Sequence, residues 1–452
     1  MGKSRYAKRL SGDLDRWIGR GLIAAENRAA ILDDVSSRAN GWSASGALAI
    51  LGSVLLALAA LSFVAANWAE LGNGLRLALI FAAIWGSYLG ATRAFATYHP
   101  AIGHALALLG AALFGVSIVL VAQIFNMSSW RYTVLGIWAA GALLTALLTP
   151  SRPVLIFTAM LGSAWVWAES FNPYAPGVLW AYLPLWLATV VAASRLRSLA
   201  SINLLAIGLY IWIGFLLWDF ARDDQLSELQ TASAFILASA ATAMTFAALR
   251  DRDRFGLGTL TNWGTSLVLL AGFCVQFPLD RYENWSSRDT EIEAGSRWVE
   301  IAGSGNPAYW WLAGAFTLIF ILALLWRAIM DPSSRALALP ALPAAVFALF
   351  LPPLAALLGG DAVLILRIGL GVAILAIAIS LILYGSREGR RFTGGLGIAL
   401  FVAETLYIYG ETFGGLLDTS LFFLIGGLLL FGLSMGVIRF QKQMSPDEEA
   451  AP

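Results

Sequence analysis

The sequence predicts an all-α fold: a polytopic transmembrane helical bundle of about fourteen spans, with a small amphipathic helical headpiece at its N-terminus. Three observations predict it. Hydrophobic residues make up 59% of the chain and charged residues 13%, which leaves too little polar surface for a water-exposed fold. From Ala44 onward, apolar runs recur near the ~20 residues that cross a hydrocarbon core at a rise of about 1.5 Å per residue. Lys and Arg collect in alternate connecting segments, as they do where short loops stay on the cytoplasmic side.

Residues 1–40 form the headpiece. Leu14, Trp17 and Ile18 make one apolar stripe at helical spacing, and Ile31, Leu32 and Val35 make another. Gly19 and Gly21 separate the stripes, so the spacing predicts two amphipathic helices in a hairpin, too small to bury a core alone. No cleavable signal peptide is expected, because this stretch is polar and mixed in charge where an apolar core would have to lie.

Residues 41–277 hold spans one to nine, over 44–66, 75–94, 101–125, 132–149, 153–168, 177–193, 199–218, 231–249 and 257–277. Residues 278–307 are a polar loop on the external side, with Trp285 and Trp298 as interfacial anchors. Residues 308–439 hold spans ten to fourteen, over 308–326, 336–358, 362–384, 392–409 and 420–438, and residues 440–452 form a cytoplasmic tail. The eleventh is the span most open to interruption, because Pro340, Pro343, Pro352 and Pro353 each remove a backbone donor that lipid cannot replace. With the N-terminus inside, most of the 29 Lys and Arg fall on the inner side, among them Arg93, Arg152, Arg195, Arg327 and Arg391. The C-terminus is then cytoplasmic too.

Composition excludes several classes of function. With 29 basic against 28 acidic residues the chain carries no surplus charge for a nucleic-acid partner. A lone cysteine, Cys274, and two histidines, His99 and His104, offer no disulfide and few metal ligands. No phosphate-binding glycine loop, zinc-binding His-Glu pattern or nucleophile elbow is present, so no metal and no cofactor are expected and no catalytic residue is assigned.

Polar residues in or beside the spans remain. Arg367 and Glu404 lie at similar depth in consecutive spans and are a candidate intramembrane pair, either an ion pair locking two helices or a gated substrate or proton site. Asn67, Trp68 and Glu70 follow span one, Gln123 and Asn126 end span three, and Tyr407 lies towards the same face. These six are either interfacial anchors or a binding cluster on the outer face. Gly86 with Gly90, and Gly432 with Gly436, put paired glycines on one helix face, a pattern that fits close helix packing and a homo-oligomer.

Leu14-x-x-Trp17-Ile18-x-x-Gly21-Leu22-Ile23 resembles the headpiece of the bacterial predicted membrane proteins called domain of unknown function 2157. Val64-Ala65-Ala66-Asn67-Trp68-x-Glu70-Leu71 and Val121-Ala122-Gln123-Ile124-Phe125-Asn126-Met127 are similar to that family's span junctions. Relatives carry a histidine near Asn126 that this chain lacks. The resemblance implies a multi-span bacterial inner-membrane protein with a small cytoplasmic N-terminal domain, and it brings no reaction or ligand.

Two functions compete. A membrane scaffold or envelope-assembly factor would bind the lipid bilayer along its spans and a cytoplasmic protein through its headpiece. A secondary transporter or exporter of a small or lipidic substrate would instead gather Arg367, Glu404, Gln123 and Asn67 around one cavity.

Overall fold

A computed structural model of the chain describes residues 2–38, 48, 51–56, 58–59, 62–63, 72–126, 131–174, 177–222, 226–249, 255–279, 307–330, 335–358, 360–387, 389–412, 431–432 and 435. Most of the first and last spans, of the external loop and the tail, and Asn67, Trp68 and Glu70 with them, lie outside the described residues.

The described residues are helical, with no strand among them. The headpiece is α1 (Gly2–Gly19) and α2 (Asn27–Arg38). The apolar helices follow as α3 (Asn73–Ala96), α4 (Pro100–Ile124), α5 (Thr133–Leu148), α6 (Arg152–Ser170) and α7 (Tyr182–Arg195). After them come α8 (Leu199–Arg222), α9 (Glu228–Ala248), α10 (Leu257–Cys274), α11 (Pro307–Met330), α12 (Arg335–Leu358), α13 (Gly360–Arg387) and α14 (Arg391–Thr412). Each of α3 to α14 coincides with one of the twelve inner segments read from the sequence. Nine helices among the described residues are long and apolar enough to cross a membrane, and α5 is a shorter apolar one. The chain is therefore an all-α multi-pass membrane protein, with the count of fourteen an approximation.

Two compact units divide the chain, the first made of residues 1–174 and 182–201, the second of 175–181 and 202–452. The sequence carries no composition shift at that division, since hydrophobic spans continue on both sides of it.

In the first unit the headpiece closes as the expected hairpin. Leu14 is fully buried between the two helices, and the turn places Gly21 at φ 69°, a left-handed conformation that suits glycine. Arg28 on α2 reaches back to α1, donating from Nε to Asp15 Oδ1 at 2.7 Å and from Nη2 to Ser11 Oγ at 2.8 Å. The hydrogen bond from Arg28 holds the Asp15 carboxyl below its usual range, and the same bond raises Arg28.

On α4 and α5 small residues make up most of the buried positions, while many large apolar side chains of α3 and α5 face outward. On α4 the buried positions include Gly103, Ala107, Ala111, Gly115 and Ser117, and on α5 Gly136, Ala139, Ala142 and Ala146. Trp85, Leu89, Leu144 and Leu148 on α3 and α5 are exposed. A bilayer rewards that arrangement, because lipid tails solvate leucine as well as a core does, and close backbone approach is what holds helices together. Gly115 shows the requirement: a Cβ there would collide with the Trp138 indole, whose Nε1 donates to Ala111 O at 2.8 Å.

In the second unit α9 packs against α10, α11 and α12, and α13 lies along α14. All four prolines sit inside an unbroken α12, so the span most open to interruption is continuous. The reason is visible at Pro353, which cannot donate to the carbonyl of Leu349 four residues back. Tyr309 of α11, almost wholly buried, donates its hydroxyl to Leu349 O at 2.6 Å and takes the place of the missing amide.

Two outcomes are expected from these contacts. Tyr309→Phe leaves the Leu349 carbonyl without its donor and should lower the stability of the detergent-solubilised protein by about 1–3 kcal/mol in thermal unfolding. In a Pro353→Ala background the restored amide should make Tyr309→Phe close to neutral, and equal costs in both backgrounds would refute the substitution of one donor for the other. In the headpiece, a depressed Asp15 adds stability that is complete above the ordinary carboxylate value of 3.8 and is lost as pH falls through its lower folded value. Deuterium exchange over residues 11–28, corrected for the intrinsic rate, should stay slow at neutral pH and rise in that acid window, while Arg28→Ala should raise it already at neutral pH.

Candidate functional site

In the second unit, one carboxyl lies deep among three helices. Glu404 sits mid-way along α14 with no exposed surface, and α14 is held against α10 and α13. Its surroundings are apolar: Ile374, Ala378 and Leu400 form one buried cluster with Phe273 and Leu370 packed on it. Val275, Leu279, Leu351 and Val363 belong to another that shares Leu370.

The residue that meets Glu404 is placed by a break in a helix. Regular geometry in α10 stops at Cys274, Val275 forms a turn, and helical residues resume at Gln276 to Leu279. Pro278 accounts for it, since it lacks the N–H that would bond to the Cys274 carbonyl and its ring crowds that oxygen. The turn presents Gln276, 1% exposed, to α14, where Nε2 donates to Glu404 Oε2 at 2.8 Å. The other carboxyl oxygen, Oε1, is buried and has no hydrogen-bond partner among the described residues.

From α13, Gly371 completes the contact. A Cβ at that position would stand 2.9 Å from Glu404 Oε1, 3.6 Å from Gln276 Oε1 and 3.8 Å from Ile408 Cδ1. Two acceptor oxygens thus flank the place where a side chain is missing. Tyr407, one turn beyond Glu404, lies edge-on to Phe273 and Phe277, with ring centres 5.9 and 5.3 Å away.

Of the residues singled out in the sequence, Arg367 lies half-buried on α13 one turn before Gly371, on the face that Glu404 approaches. The hydrogen bond to Glu404 comes from Gln276, not from Arg367. Gln123 and Asn126 belong to the first unit and Tyr407 to the second, and the first two are exposed. Asn126 stands at φ 47° just past the end of α4, with its amide bonded to Gln123 O at 3.3 Å, so it stops that helix in a conformation asparagine tolerates. Among the described residues no group of three or more His, Cys, Asp and Glu is arranged to hold a metal ion.

Two polar constellations escaped the sequence reading. Gln276 is the first; a lone amide two residues before a proline in an apolar run is the signal that could have found it. The second is Glu169 at the end of α6, 1% exposed, which accepts from Arg131 Nε and from the Tyr132 amide, each at 2.9 Å. Reading the fifth span to end at Ala168 left Glu169 among loop residues, although it ties α6 to the first turn of α5.

Residues 15–155 match the family model described as predicted membrane protein, domain of unknown function 2157. No curated protein and no solved structure matches the chain.

Removing the donor at the buried carboxyl separates its contributions. Gln276→Leu should leave both oxygens of Glu404 without partners and cost about 1–3 kcal/mol of thermal stability. The pair of changes Gln276→Leu and Glu404→Leu should recover most of that loss, because no polar group is then stranded. A double variant as unstable as the single one would show that Gln276 acts through packing alone.

Proposed function

We propose that this multi-pass membrane protein is a scaffold or envelope-assembly factor of a bacterial inner membrane. Both termini lie in the cytoplasm, and the headpiece is the part that docks a cytoplasmic protein. The observation that supports this most is how polar side chains within the apolar helices are used. Glu404 meets Gln276 at one oxygen, Glu169 meets Arg131 and the Tyr132 amide, and Tyr309 meets Leu349, so each makes a contact that joins helices. Outside them, the headpiece leaves Trp17 and Leu22 exposed at 37% and 70% beside its closed hairpin, apolar area that a partner protein would cover.

A secondary transporter is the second reading, favoured by one observation: Glu404 Oε1 has no donor among the described residues and lies beside an irregular turn in a spanning helix. A photoreactive residue replacing Leu22, in the full chain in native membranes, is expected to cross-link to one cytoplasmic protein, and Trp17→Ala in the same chain to abolish the adduct. Protein reconstituted into vesicles is expected to pass no more protons or ions than empty vesicles do. Flux driven by a pH gradient and removed by Glu404→Gln would overturn the scaffold in favour of transport.

A further inference from the structure

The two buried carboxyls differ in how fully they are satisfied. Among the described residues, Glu169 has a donor on each oxygen, one of them cationic, whereas Glu404 has a single neutral amide on Oε2 and nothing on Oε1. Such a carboxylate, set between two apolar clusters, has little to offset its lost hydration, while the protonated acid needs only modest company. Oε1 also lies close against Gly371, where even a Cβ would stand only 2.9 Å from it, and Gln276 Oε1 is a second acceptor oxygen 3.6 Å from the same point.

We propose that Glu404 is a proton-binding site, anchored at Oε2 by Gln276 and taking up and releasing its proton at Oε1, the oxygen that lies against the Gly371 backbone. The step is a plain proton transfer: the carboxylate and a hydronium ion give the carboxylic acid and water, and only O–H bonds are made and broken. Among the described residues, the groups bearing on it from the packed elements are few. On α10 they are Gln276, which is uncharged, and the exposed Cys274; on α14 it is Tyr407, and on α13 Arg367, one turn before Gly371. This assignment stands whether or not the chain transports anything.

Infrared difference spectra of the full-length protein in lipid vesicles, taken between acid and alkaline buffer, test it. A carboxylic-acid C=O band should vanish on alkalinisation, shift in heavy water, and be missing from Glu404→Gln, which keeps the side chain's size and its contact with Gln276. Gly371→Ala sets a methyl group against Oε1 and should move the midpoint of that band by about one pH unit, a tenfold change in proton affinity. Should Glu404→Gln fail to fold, Glu404→Asp serves instead: it retains the acid but withdraws it from Gln276, and should shift the midpoint. Three results would each overturn the proposal: full band intensity in Glu404→Gln, a Glu404 band that neither titrates nor exchanges for deuterium, or a midpoint unmoved by both Gly371→Ala and Glu404→Asp.

Discussion

Hydrocarbon offers no hydrogen bonds, so every backbone group that a helix cannot satisfy by itself must be met by a side chain of the same protein. Much of this structure is an answer to that constraint. Tyr309 supplies the donor that Pro353 withholds from Leu349. Arg327 reaches the carbonyl of Ala247 in the last turn of α9, and Arg152 bonds to Leu196 O just past the end of α7 at 2.8 Å. Both put a cation against the negative end of a helix dipole as well as a donor against an orphan carbonyl. The arginines that mark alternate loops in the sequence thus have a second occupation, closing the C-terminal ends of neighbouring helices.

With the backbone satisfied, association depends on how closely helices can approach. Large side chains gain little by leaving lipid for a protein interior, so on α4 and α5 glycine, alanine and serine collect at the contacts, while Trp85, Leu89, Leu144 and Leu148 on α3 and α5 are turned outward. At α13 and α14 the approach is closest where Gly385 faces Gly394 and Gly397 faces the backbone of Ala378 and Ile382. Among the described residues nothing stands near Gly86, and only the tip of Leu106 lies near Gly90. Spacing marks a face, but whether a neighbour uses it depends on the rest of that neighbour's surface.

This division explains what the sequence could and could not reveal. Spans are legible because length and hydropathy are properties of one segment, and the helices from α3 to α14 fall where those properties place them. The start of α7 was misjudged by five residues, because the apolar run from Gly177 includes a turn with Gly177 at φ 67° and helix begins only at Tyr182. Four prolines argued against α12 because the compensating hydroxyl lies some forty residues away, beyond what any local window weighs. Glu404 was visible as a carboxyl in an apolar run; its partner was not, because Gln276 is 128 positions distant and depends on the turn that Pro278 makes. Charge complementarity is easier to read from a sequence than an amide brought into place by a proline.

The contrast between Glu169 and Glu404 carries the argument one step further. Both are glutamates with almost no exposed surface. Glu169 lies at a helix end, where the Tyr132 amide at the start of α5 and a partly exposed arginine converge on it, so its charge is stabilised by groups already in place. Glu404 lies in mid-helix, where every backbone amide is engaged in the ladder and only side chains can reach it. A carboxyl that one more donor could have completed, yet whose second oxygen meets only the glycine backbone at Gly371 among the described residues, is poorly suited to act purely as a fastener. Depth along the helix, not burial alone, separates a carboxyl that locks two helices from one that can exchange a proton.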